Sequence, residues 1–327
     1  MAGIGKRMRP HTLTVPKPLI KIAGKPIVQR LVEDIIKVSK TPVEEIAFII
    51  SNFGKEVENQ LLEMAKNAGC KGTIYYQDKA LGTAHAVLCA ANSLKGEVVV
   101  AFADTLFKAD FILDKNKDSI IWVHKVKNPE NFGVVKLNNQ QLISDFIEKP
   151  QKFVSDLAII GIYYFKDGDN LKNELQYLID NDICKGGEYQ LTDALTNMKN
   201  KGLEFSVGKV DEWLDCGNKD ATVYTNQRIL EIHKKSNTID ESVELINAVV
   251  IKPCFIGKNV KITESVIGPF VSIGNDTTIN NSIITNSIIQ SHSKLHCVNI
   301  DNSMVGSYVD YKLKYNEVSI GDFTVLK

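Results

Sequence analysis

The residues best suited to chemistry lie near the amino end of the chain, where glycines and basic side chains share one short loop. Gly3 and Gly5 let backbone N–H groups approach phosphates, because no Cβ blocks the way. Arg7 and Lys17 then bring two fixed positive charges to the same loop. The pattern predicts a site for a triphosphate under attack. It is neither a Walker A loop nor a dinucleotide fingerprint, since Met8 stands where the latter has its third glycine.

A carboxylate that is well placed to bind a metal follows the apolar run Val98–Ala103. Asp104 would stand at the end of the buried strand that this run predicts. In doubly wound sheets ligands bind beyond the carboxyl ends of strands, and Mg²⁺ prefers oxygen ligands. Asp104 is therefore expected to hold Mg²⁺ beside the phosphates, the alternative being a helix-cap role for the aspartate.

The opening loop belongs to a longer pattern that resembles a known family. Gly3-x-Gly5-x-Arg7, Pro16-Lys17-Pro18-Leu19 and Gly24-Lys25-Pro26 together resemble the sugar-1-phosphate nucleotidylyltransferases, which make nucleoside-diphosphate sugars. The resemblance implies that a sugar 1-phosphate oxygen attacks the α-phosphate of a nucleoside triphosphate and that pyrophosphate leaves. It also implies that Arg7 clamps the leaving phosphates and that Lys17 meets the α-phosphate.

Two features depart from the family pattern. Lys6 replaces the usual Thr or Ser. Family members also place a hydrophobic strand before the glycines, and none precedes them in this sequence. We therefore expect either the loss of that strand's hydrogen bonds and apolar burial, or a loop held in another way.

Further segments resemble the family's metal-binding and nucleotide-binding motifs. Glu212–Gly217 resembles the family's Trp-x-Asp-x-Gly motif, which makes Asp215 the second Mg²⁺ ligand. Gln77–Ala86 resembles the base-reading segment, in which Gln77 suits the edge of a pyrimidine. Gly82 and Thr83 begin a predicted helix there, so backbone groups are expected to be open to the nucleotide. His85 is interpreted as an ordinary helix residue.

The sugar phosphate is assigned to four other segments, again by resemblance. Glu148 and Lys149 fall in the Glu-Lys-Pro motif, where the carboxylate accepts from sugar hydroxyls and the lysine binds phosphate. Gly133 and Gly161 would present backbone to the hexose, and Glu188 would lie near it. The expected sugar-phosphate residues are thus Gly133, Glu148, Lys149, Gly161 and Glu188.

The first two thirds of the sequence alternate strands and helices. Strands are predicted at 46–50, 73–77 and 97–103, and helices from Pro26, at 55–68 and at 83–92. The order predicts an α/β fold with a doubly wound, Rossmann-like mixed sheet. We expect the nucleotidyltransferase domain to span residues 1–235.

A second pattern begins near Val243. Aliphatic residues recur about every sixth position, at Val250, Ile256, Ile262, Ile267, Ile273, Ile279, Ile284, Ile289 and Leu295. This period predicts a parallel β-helix of hexapeptide repeats over residues 243–327, with about three coils, and favours it over a small β-sandwich. The family resemblance implies that the β-helix is left-handed.

The composition of the chain argues against several classes of protein. Lys plus Arg and Asp plus Glu both number 39, so no net field would attract nucleic acid or a membrane surface. No apolar run is long enough for a transmembrane helix and no signal peptide is evident. The six cysteines lack Cys-x-x-Cys spacing, which predicts reduced, mostly buried thiols, no zinc site and a cytoplasmic protein. Exposed β-helix edges favour a homo-oligomer.

Several functions stay open on the sequence alone. The leading hypothesis is transfer of a pyrimidine nucleotide, from dTTP or UTP, to a hexose 1-phosphate. A mannose-1-phosphate guanylyltransferase is one alternative. Another is an acyltransferase that uses His292 or His296 of the β-helix as a base. The third is a non-catalytic regulatory subunit that senses nucleotide sugars.

Overall fold

The chain forms two compact units in a computed structural model that describes residues 3, 5–39, 41–109, 113–236 and 238–313. The first unit comprises Met1–Ile20 and Lys25–Gly217, and the second comprises Lys21–Gly24 and Asn218–Lys327. The division differs from the predicted boundary at residues 235–243, because the helix that follows Gly217 groups with the carboxyl-terminal part.

Five α-helices and eleven strands occur among the described residues of the first unit. The helices are α1 (Ile27–Ser39), α2 (Lys55–Asn67), α3 (Thr83–Leu88), α4 (Gly168–Asp180) and α5 (Leu191–Asn200). After the two-residue strand β1 (Lys21–Ile22), which belongs to the second unit, the strands are β2 (Lys25–Pro26), β3 (Glu45–Ile50), β4 (Lys71–Tyr76), β5 (Val98–Ala101), β6 (Thr105–Lys108), β7 (Ser119–Lys125), β8 (Gly133–Leu137), β9 (Ile143–Glu148), β10 (Leu157–Phe165), β11 (Phe205–Lys209) and β12 (Glu212–Asp215).

The main sheet is built around β10, whose nine residues are almost all buried. Its strand order is β11-β7-β10-β8-β9, and β5 pairs with the second half of β10. Among the described strands of this sheet only β7 and β11 run parallel, while β3 and β4 form a separate parallel pair. Helices α3, α4 and α5 pack their apolar residues into the core of the main sheet. The predicted mixed α/β architecture is confirmed.

Two predicted elements are shorter than the sequence indicated. The helix expected at 83–92 ends at Leu88, and a tight 3₁₀ turn at Ala91–Ser93 follows it. The strand expected at 97–103 ends at Ala101, because the N–H of Phe102 donates instead to the carbonyl of Gly161. Asp104 therefore lies in a turn between β5 and β6.

In its described part, up to residue 313, the second unit contains one α-helix, α6 (Lys219–Ile232), and thirteen short strands beyond β1. These strands are β13 (Glu244–Ile246), β14 (Val249–Val250), β15 (Phe255–Ile256), β16 (Lys261–Thr263), β17 (Val266–Ile267), β18 (Ser272–Ile273), β19 (Thr278–Asn280), β20 (Ile283–Ile284), β21 (Ile288–Ile289), β22 (Lys294–His296), β23 (Asn299–Ile300), β24 (Met304–Val305) and β25 (Asp310–Lys312). They stack as three parallel sheets, β13-β16-β19-β22-β25, β14-β17-β20-β23 and β15-β18-β21-β24.

This arrangement confirms the predicted parallel β-helix. Ile262, Ile279 and Leu295 are paired in register on consecutive coils, so each apolar residue contacts the one a coil away. Eight of the nine predicted repeat positions are fully buried in the coil interior, and Val250 packs against them. The described residues form four complete three-strand coils and begin a fifth, whereas the sequence indicated about three.

The coil corners have a regularity that the sequence analysis missed. One corner places Asn259, Asp276, His292 and Tyr308 in the left-handed region, each with a positive φ between 55° and 60°. Asn is the non-glycine residue that adopts this conformation most readily, and it fills many of the other corners. An Asn recurring at the coil spacing was the signal that could have revealed the corners.

Helix α6 joins the β-helix through one buried side chain. Asn226 is fully buried and accepts from the Ala23 N–H at 3.0 Å and from the Ser272 hydroxyl at 2.6 Å. Its amide group also donates to the carbonyl of Phe270. Loss of any one partner would leave a buried polar group unsatisfied, so these bonds fix α6 within the second unit.

The six cysteines are free thiols. No disulfide joins the six cysteines, all of which lie in described residues, but only Cys70, Cys216 and Cys254 are buried. Cys184 is exposed, so the prediction of mostly buried thiols holds for half of them. None of the helices in the described ranges combines the length and apolar character needed to cross a bilayer.

Candidate active site

Lys17 and Asp104 meet although they are far apart in the sequence. The Lys17 ammonium donates to the Asp104 carboxylate at 2.5 Å. Pro16 and Pro18 flank the lysine in a 3₁₀ turn, Lys17–Leu19, and the fixed φ of proline stiffens that turn. The lysine side chain is only 9% exposed, whereas the aspartate is 36% exposed. The ion pair is therefore buried on the lysine side and open to solvent on the carboxylate side.

The pairing of two strands brings Asp215 next to Asp104. Strands β6 and β12 are antiparallel, with Asp215 opposite Thr105, and the N–H of Cys216 donates to the Asp104 carbonyl at 2.9 Å. Gly217 donates its N–H to the Asp215 carboxylate at 2.9 Å. A Cβ at Gly217 would lie 2.8 Å from that carboxylate, which explains the glycine of the Asp-x-Gly pattern.

The pKa of Asp215 depends on the charged groups that surround it. Burial raises the pKa of Asp215, and the negative charge of Asp104 raises it further. Lys17, the Gly217 N–H and Arg7 lower the pKa, in that order of size. Asp104, Lys17 and Arg7 thus all lie near enough to Asp215 to shift its pKa, and the assignment of this cluster to a metal and phosphates stays a prediction.

The glycine turn is held against the lysine. Gly5 has a φ of 63°, and its carbonyl accepts from the Thr12 hydroxyl at 2.9 Å and from the Met8 N–H at 2.9 Å. A Cβ at Gly5 would come within 3.1 Å of Thr12 and 3.3 Å of Lys17. Met8 is buried while Arg7 is exposed. The exposed guanidinium lies beside a glycine backbone that a phosphate could approach. Gly3 is also exposed, with open space around its Cα.

Gln77 lies at the end of β4 and contacts the start of α3. Its side chain is buried, and its amide N–H donates to the Gly82 carbonyl at 3.0 Å. The same nitrogen lies 3.0 Å from Nδ1 of His85. His85 therefore has a hydrogen-bond partner within the fold, in line with its interpretation as an ordinary helix residue. The Gln77 carbonyl oxygen is the part of this amide that no described residue engages.

The start of α3 is partly covered by the loop that precedes α5. The Ala84 N–H donates to the Tyr189 carbonyl at 2.9 Å, and the Thr83 hydroxyl accepts from the Leu191 N–H at 2.9 Å. A Cβ at Gly82, where φ is 101°, would lie 2.4 Å from the Tyr189 carbonyl. The expectation that backbone groups at Gly82 and Thr83 are open thus holds only in part, because the loop around Tyr189 takes some of them.

The sugar-phosphate candidates Gly133 and Glu148 are neighbours across two strands. They face each other in the β8–β9 pair, and a Cβ at Gly133 would lie 3.0 Å from the Glu148 carboxylate. The Thr192 hydroxyl is 3.5 Å from the same carboxylate. Burial raises the pKa of Glu148, with a further rise from Asp193, while Lys149, Thr192 and Lys185 lower it. Glu148 is thus a half-buried carboxylate beside a bare glycine backbone.

Lys149 lies close to this carboxylate, whereas Glu188 stands on a separate hairpin. The Lys149 backbone has a φ of 44° and donates to the Phe132 carbonyl, and its ammonium is 4.0 Å from the Glu148 carboxylate. Glu188 is exposed, in a small hairpin in which its backbone pairs with Lys185. The Lys185 side chain donates to Asp193 at 2.7 Å, which ties the hairpin to the Thr192 region.

Gly161 forms a bulge in the centre of β10. Its φ is 85°, the pairing with β7 shifts register between Ile159 and Tyr163, and its carbonyl accepts from the Phe102 N–H at 2.8 Å. A Cβ at Gly161 would lie 2.9 Å from the Phe102 ring. Since Phe102 comes two residues before Asp104, the bulge supports the turn that carries the metal candidate.

Two aromatic residues that the sequence analysis passed over connect the two halves of the site. The Phe132 ring meets the Trp213 indole edge-on, with 5.0 Å between centroids. Phe132 precedes Gly133, and Trp213 comes two residues before Asp215. Thr192 was also missed as a site residue. The Trp-x-Asp-x-Gly pattern contained Trp213, and Thr192 lies four residues after the candidate Glu188; these were the available signals.

The donor set fits a hard divalent cation bound together with a substrate. Asp104 and Asp215 supply carboxylates that repel each other, which a divalent cation would relieve. No group of three or more potential metal-ligating side chains occurs in the part of the chain that the structure describes. Two carboxylates suit Mg²⁺, since that ion usually keeps waters and takes its remaining ligands from substrate phosphates.

Fold and site together define a nucleotidyltransferase: a mixed α/β domain in which a cationic glycine turn faces two carboxylates. Comparison with known proteins agrees with that class. Residues 1–232 match the family described as nucleotidyl transferase, and the chain belongs to it.

Individual relatives carry names of related enzymes. The chain is 31% identical over 331 residues to the "Bifunctional protein GlmU" of Methanococcus vannielii, covering 94% of this chain and 76% of that protein. It covers only 59% of the protein of the same name from Methanococcus maripaludis, at 34% identity and 77% of this chain. It is 28% identical to a glucose-1-phosphate thymidylyltransferase of Streptomyces antibioticus, over 94% of this chain and 90% of that one.

A solved structure supports the fold. A putative glucose-1-phosphate thymidylyltransferase from Bacillus anthracis, crystallised with sucrose, aligns with a TM-score of 0.59 and 22% identity. The alignment covers 69% of this chain and 91% of the other.

Proposed function

We propose that this chain transfers a nucleotidyl group from a nucleoside triphosphate to a hexose 1-phosphate, giving a nucleoside-diphosphate sugar and pyrophosphate. The observation that carries the proposal is the convergence of Lys17 with Asp104 and Asp215, to which Arg7 adds its charge. The names of the relatives support a sugar 1-phosphate as the acceptor.

Mg²⁺ is the proposed cofactor, held by Asp104 and Asp215. When bound, it would neutralise phosphate charge and polarise the phosphoryl group. The two carboxylates lie on the β5–β6 turn and at the end of β12, two segments fixed to each other by the Cys216–Asp104 backbone bond. Their relative position therefore does not depend on a mobile side chain alone.

The chain's own residues would act by positioning and by neutralising charge. The glycine turn and Arg7 would hold the phosphates that leave as pyrophosphate. Lys17 would move its ammonium from Asp104 to an α-phosphate oxygen, where charge develops during transfer. The attacking oxygen of a sugar 1-phosphate is already anionic, so the reaction needs orientation more than a protein base.

The acceptor would lie on the side of the site formed by β8 and β9. Glu148 would accept hydrogen bonds from hexose hydroxyls, and the Gly133 and Gly161 backbones would allow close approach of the sugar. Lys149 would bind the sugar phosphate, with Glu188 nearby. The half-buried position of Glu148, with Thr192 at 3.5 Å, supports a preset acceptor.

A pyrimidine base, in dTTP or UTP, is the preferred donor. Gln77 commits its amide N–H to Gly82 and leaves its carbonyl oxygen facing outward from that bond. That oxygen could accept from N3–H of thymine or uracil, whereas cytosine offers an acceptor at the same position. Backbone groups of the Gly82 segment would supply the remaining contacts.

An activity panel tests the proposal. The full chain is incubated with Mg²⁺, each of dTTP, UTP, GTP and ATP, and each of glucose, mannose and N-acetylglucosamine 1-phosphate, while pyrophosphate release is measured. Turnover with a pyrimidine donor that is lost in Lys17→Met supports it. Turnover only with GTP and mannose 1-phosphate would replace it with the guanylyltransferase alternative, and no turnover with any pair in folded protein would contradict it.

The acyltransferase alternative receives no support from the β-helix histidines. His292 stacks on Tyr308 with 4.7 Å between ring centroids, and its Nδ1 lies 3.7 Å from the Asp276 carboxylate. Both partners occupy the same coil corner one coil away. His292 therefore belongs to a corner stack that stabilises the coils.

A further inference from the structure

Gln77 and His85 form a hydrogen-bonded pair where β4 meets the start of α3. The Gln77 side chain is buried, and its amide nitrogen lies 3.0 Å from the Gly82 carbonyl and 3.0 Å from Nδ1 of His85. A backbone carbonyl can only accept a hydrogen bond, so the amide has to turn its NH₂ group toward Gly82. The two hydrogens of that group then point at the carbonyl and at the imidazole.

This geometry fixes the tautomer of His85. Since Gln77 presents a hydrogen to Nδ1, that nitrogen is the unprotonated one, and the ring carries its proton on Nε2. The Cys89 Sγ lies 3.9 Å from the same Nδ1, one helical turn further along the chain. Burial raises the pKa of the Cys89 thiol and Asp78 raises it further, so this group keeps its hydrogen and also faces Nδ1 as a donor. His85 thus acts as a neutral acceptor toward both neighbours.

The two acceptors that hold the Gln77 amide are themselves held in place. The Ala84 N–H donates to the Tyr189 carbonyl at 2.9 Å, which ties the first turn of α3 to the loop before α5. Gly82 packs against the same tyrosine backbone, with no space for a Cβ. A flip of the Gln77 amide would therefore bring its oxygen against the Gly82 carbonyl and the His85 nitrogen, and both hydrogen bonds would be lost.

An amide held in this way can read only one kind of base edge. Gln77 directs its NH₂ group into the fold, and no described residue engages its oxygen. That oxygen suits the N3–H of uracil or thymine. Cytosine has an acceptor at N3, and an amide that was free to rotate could turn its NH₂ group to that atom. Discrimination between these bases therefore depends on the groups that prevent the rotation.

We propose that His85 is a positioning residue for nucleotide selection. Its unprotonated Nδ1 holds the Gln77 amide with the oxygen outward, and this orientation selects uracil or thymine against cytosine. The inference rests on the proposed function, because it takes Gln77 as the residue that meets the base. His85 acts through Gln77 and has no contact of its own with the nucleotide. It shares the restraint with the Gly82 carbonyl, so its removal should weaken the selection without abolishing it.

Two variants of nearly equal size separate the acceptor from the bulk of the side chain. His85→Asn places a carbonyl oxygen where Nδ1 stands, whereas His85→Leu offers no acceptor there. Leu is the better helix former, so a role confined to the stability of α3 would favour the Leu variant. Calorimetry of the full chain with Mg²⁺ and UTP, dTTP or CTP, without sugar 1-phosphate, gives the dissociation constants and does not require turnover.

We expect wild type and His85→Asn to bind UTP or dTTP more tightly than CTP. His85→Leu should lose about three- to tenfold of that ratio, the contribution of one hydrogen bond. Equal ratios in the Leu and Asn variants would overturn the proposal, and so would a wild type that does not prefer UTP or dTTP to CTP. The expected ratios without pyrophosphate release in the activity panel would support the role of His85 and contradict only the proposed reaction.

NMR of ¹⁵N-labelled protein tests the hydrogen bond itself in the absence of nucleotide. The His85 ring signals are assigned by their loss in His85→Asn, and they are recorded above the usual titration range of histidine. We expect a neutral ring with its proton on Nε2. A neutral ring with its proton on Nδ1 could not accept from Gln77, and would overturn the proposal whatever the binding ratios.

Discussion

The Phe132 ring packs edge-on against the Trp213 indole, 5.0 Å between centroids and 69° between planes. Trp213 stands on the strand that ends with Asp215, and Phe132 leads directly into Gly133. The contact thus connects the carboxylate pair to the surface proposed for the sugar. Edge-to-face pairs of this kind contribute about 0.5–1.5 kcal/mol beyond the area they bury.

Phe132→Ala should separate the two halves of the site without removing any charged group. We expect the KM for the sugar 1-phosphate to rise about tenfold, the equivalent of the aromatic contact, with a smaller change in the KM for the triphosphate. Steady-state kinetics with each substrate varied in turn measures both values. Phe153→Ala is the matched control, because that ring is 78% exposed. Equal KM changes in the two variants would exclude a positioning role for Phe132.

Glu148 should make the proposed binding of the sugar 1-phosphate depend on pH. Its pKa is raised by burial, so the carboxylate takes up a proton at a higher pH than an ordinary glutamate does. Since the ionised form is the better acceptor for hydroxyls, the KM for the sugar 1-phosphate should increase as pH falls through that raised pKa. Glu148→Gln should have a KM about tenfold or more above that of wild type, and this KM should not change over the same pH range. Glu130→Gln, at an exposed position, should follow wild type. An unchanged pH profile in Glu148→Gln would count against this role.

The bulge at Gly161 should be intolerant of a side chain. Gly161→Ala places a Cβ 2.9 Å from the Phe102 ring at a φ of 85°. We expect a loss of about 2–4 kcal/mol in the free energy of unfolding, from left-handed strain plus the clash. Gly186→Ala has a similar positive φ with nothing within 4 Å, and should lose only about 1 kcal/mol. Urea denaturation of both variants measures the difference, and equal losses would show that the Phe102 contact is unimportant.

Local sequence patterns indicated the candidate site residues but not the contacts that join them. Lys17 and Asp104 were identified because prolines and an apolar run precede or flank them, which are local signals. The Phe132–Trp213 contact depends on the pairing of β6 with β12 and on the position of β8, and no local pattern encodes such long-range pairing. The loop over Gly82 and Thr83 was missed for the same reason. In the β-helix, the six-residue period of aliphatic side chains predicted the coils, because each coil repeats the apolar pattern of the coil before it. The corner residues recur only once per coil, every 16 or 17 positions, so a six-residue period does not reveal them.

Asp34 should make stability depend on pH. Burial raises its pKa from 3.8 to about 6, only partly countered by Arg30. A carboxyl group with a raised folded-state pKa contributes stability below its ordinary value, and that contribution is lost as pH rises through 6. Asp34→Asn should therefore be more stable than wild type at pH 7.5, by about 1 kcal/mol for a partly exposed group, and equal to it near pH 4. Asp118→Asn, an exposed control, should show no such difference. Chemical denaturation across the pH range measures this, and a parallel dependence in all three proteins would contradict it.

The shared role of Asp104 and Asp215 is tested most directly by a double-mutant cycle on the Mg²⁺-dependent rate of pyrophosphate release. Asp104→Asn, Asp215→Asn and the double variant are compared with wild type, and Asp211→Asn serves as an exposed control near β12. If both carboxylates hold one ion, each single variant should lose about 100-fold or more, and the double variant should lose little beyond the worse single. Losses that multiply in the double variant, or full activity in either folded single variant, would contradict a metal site shared by these two residues.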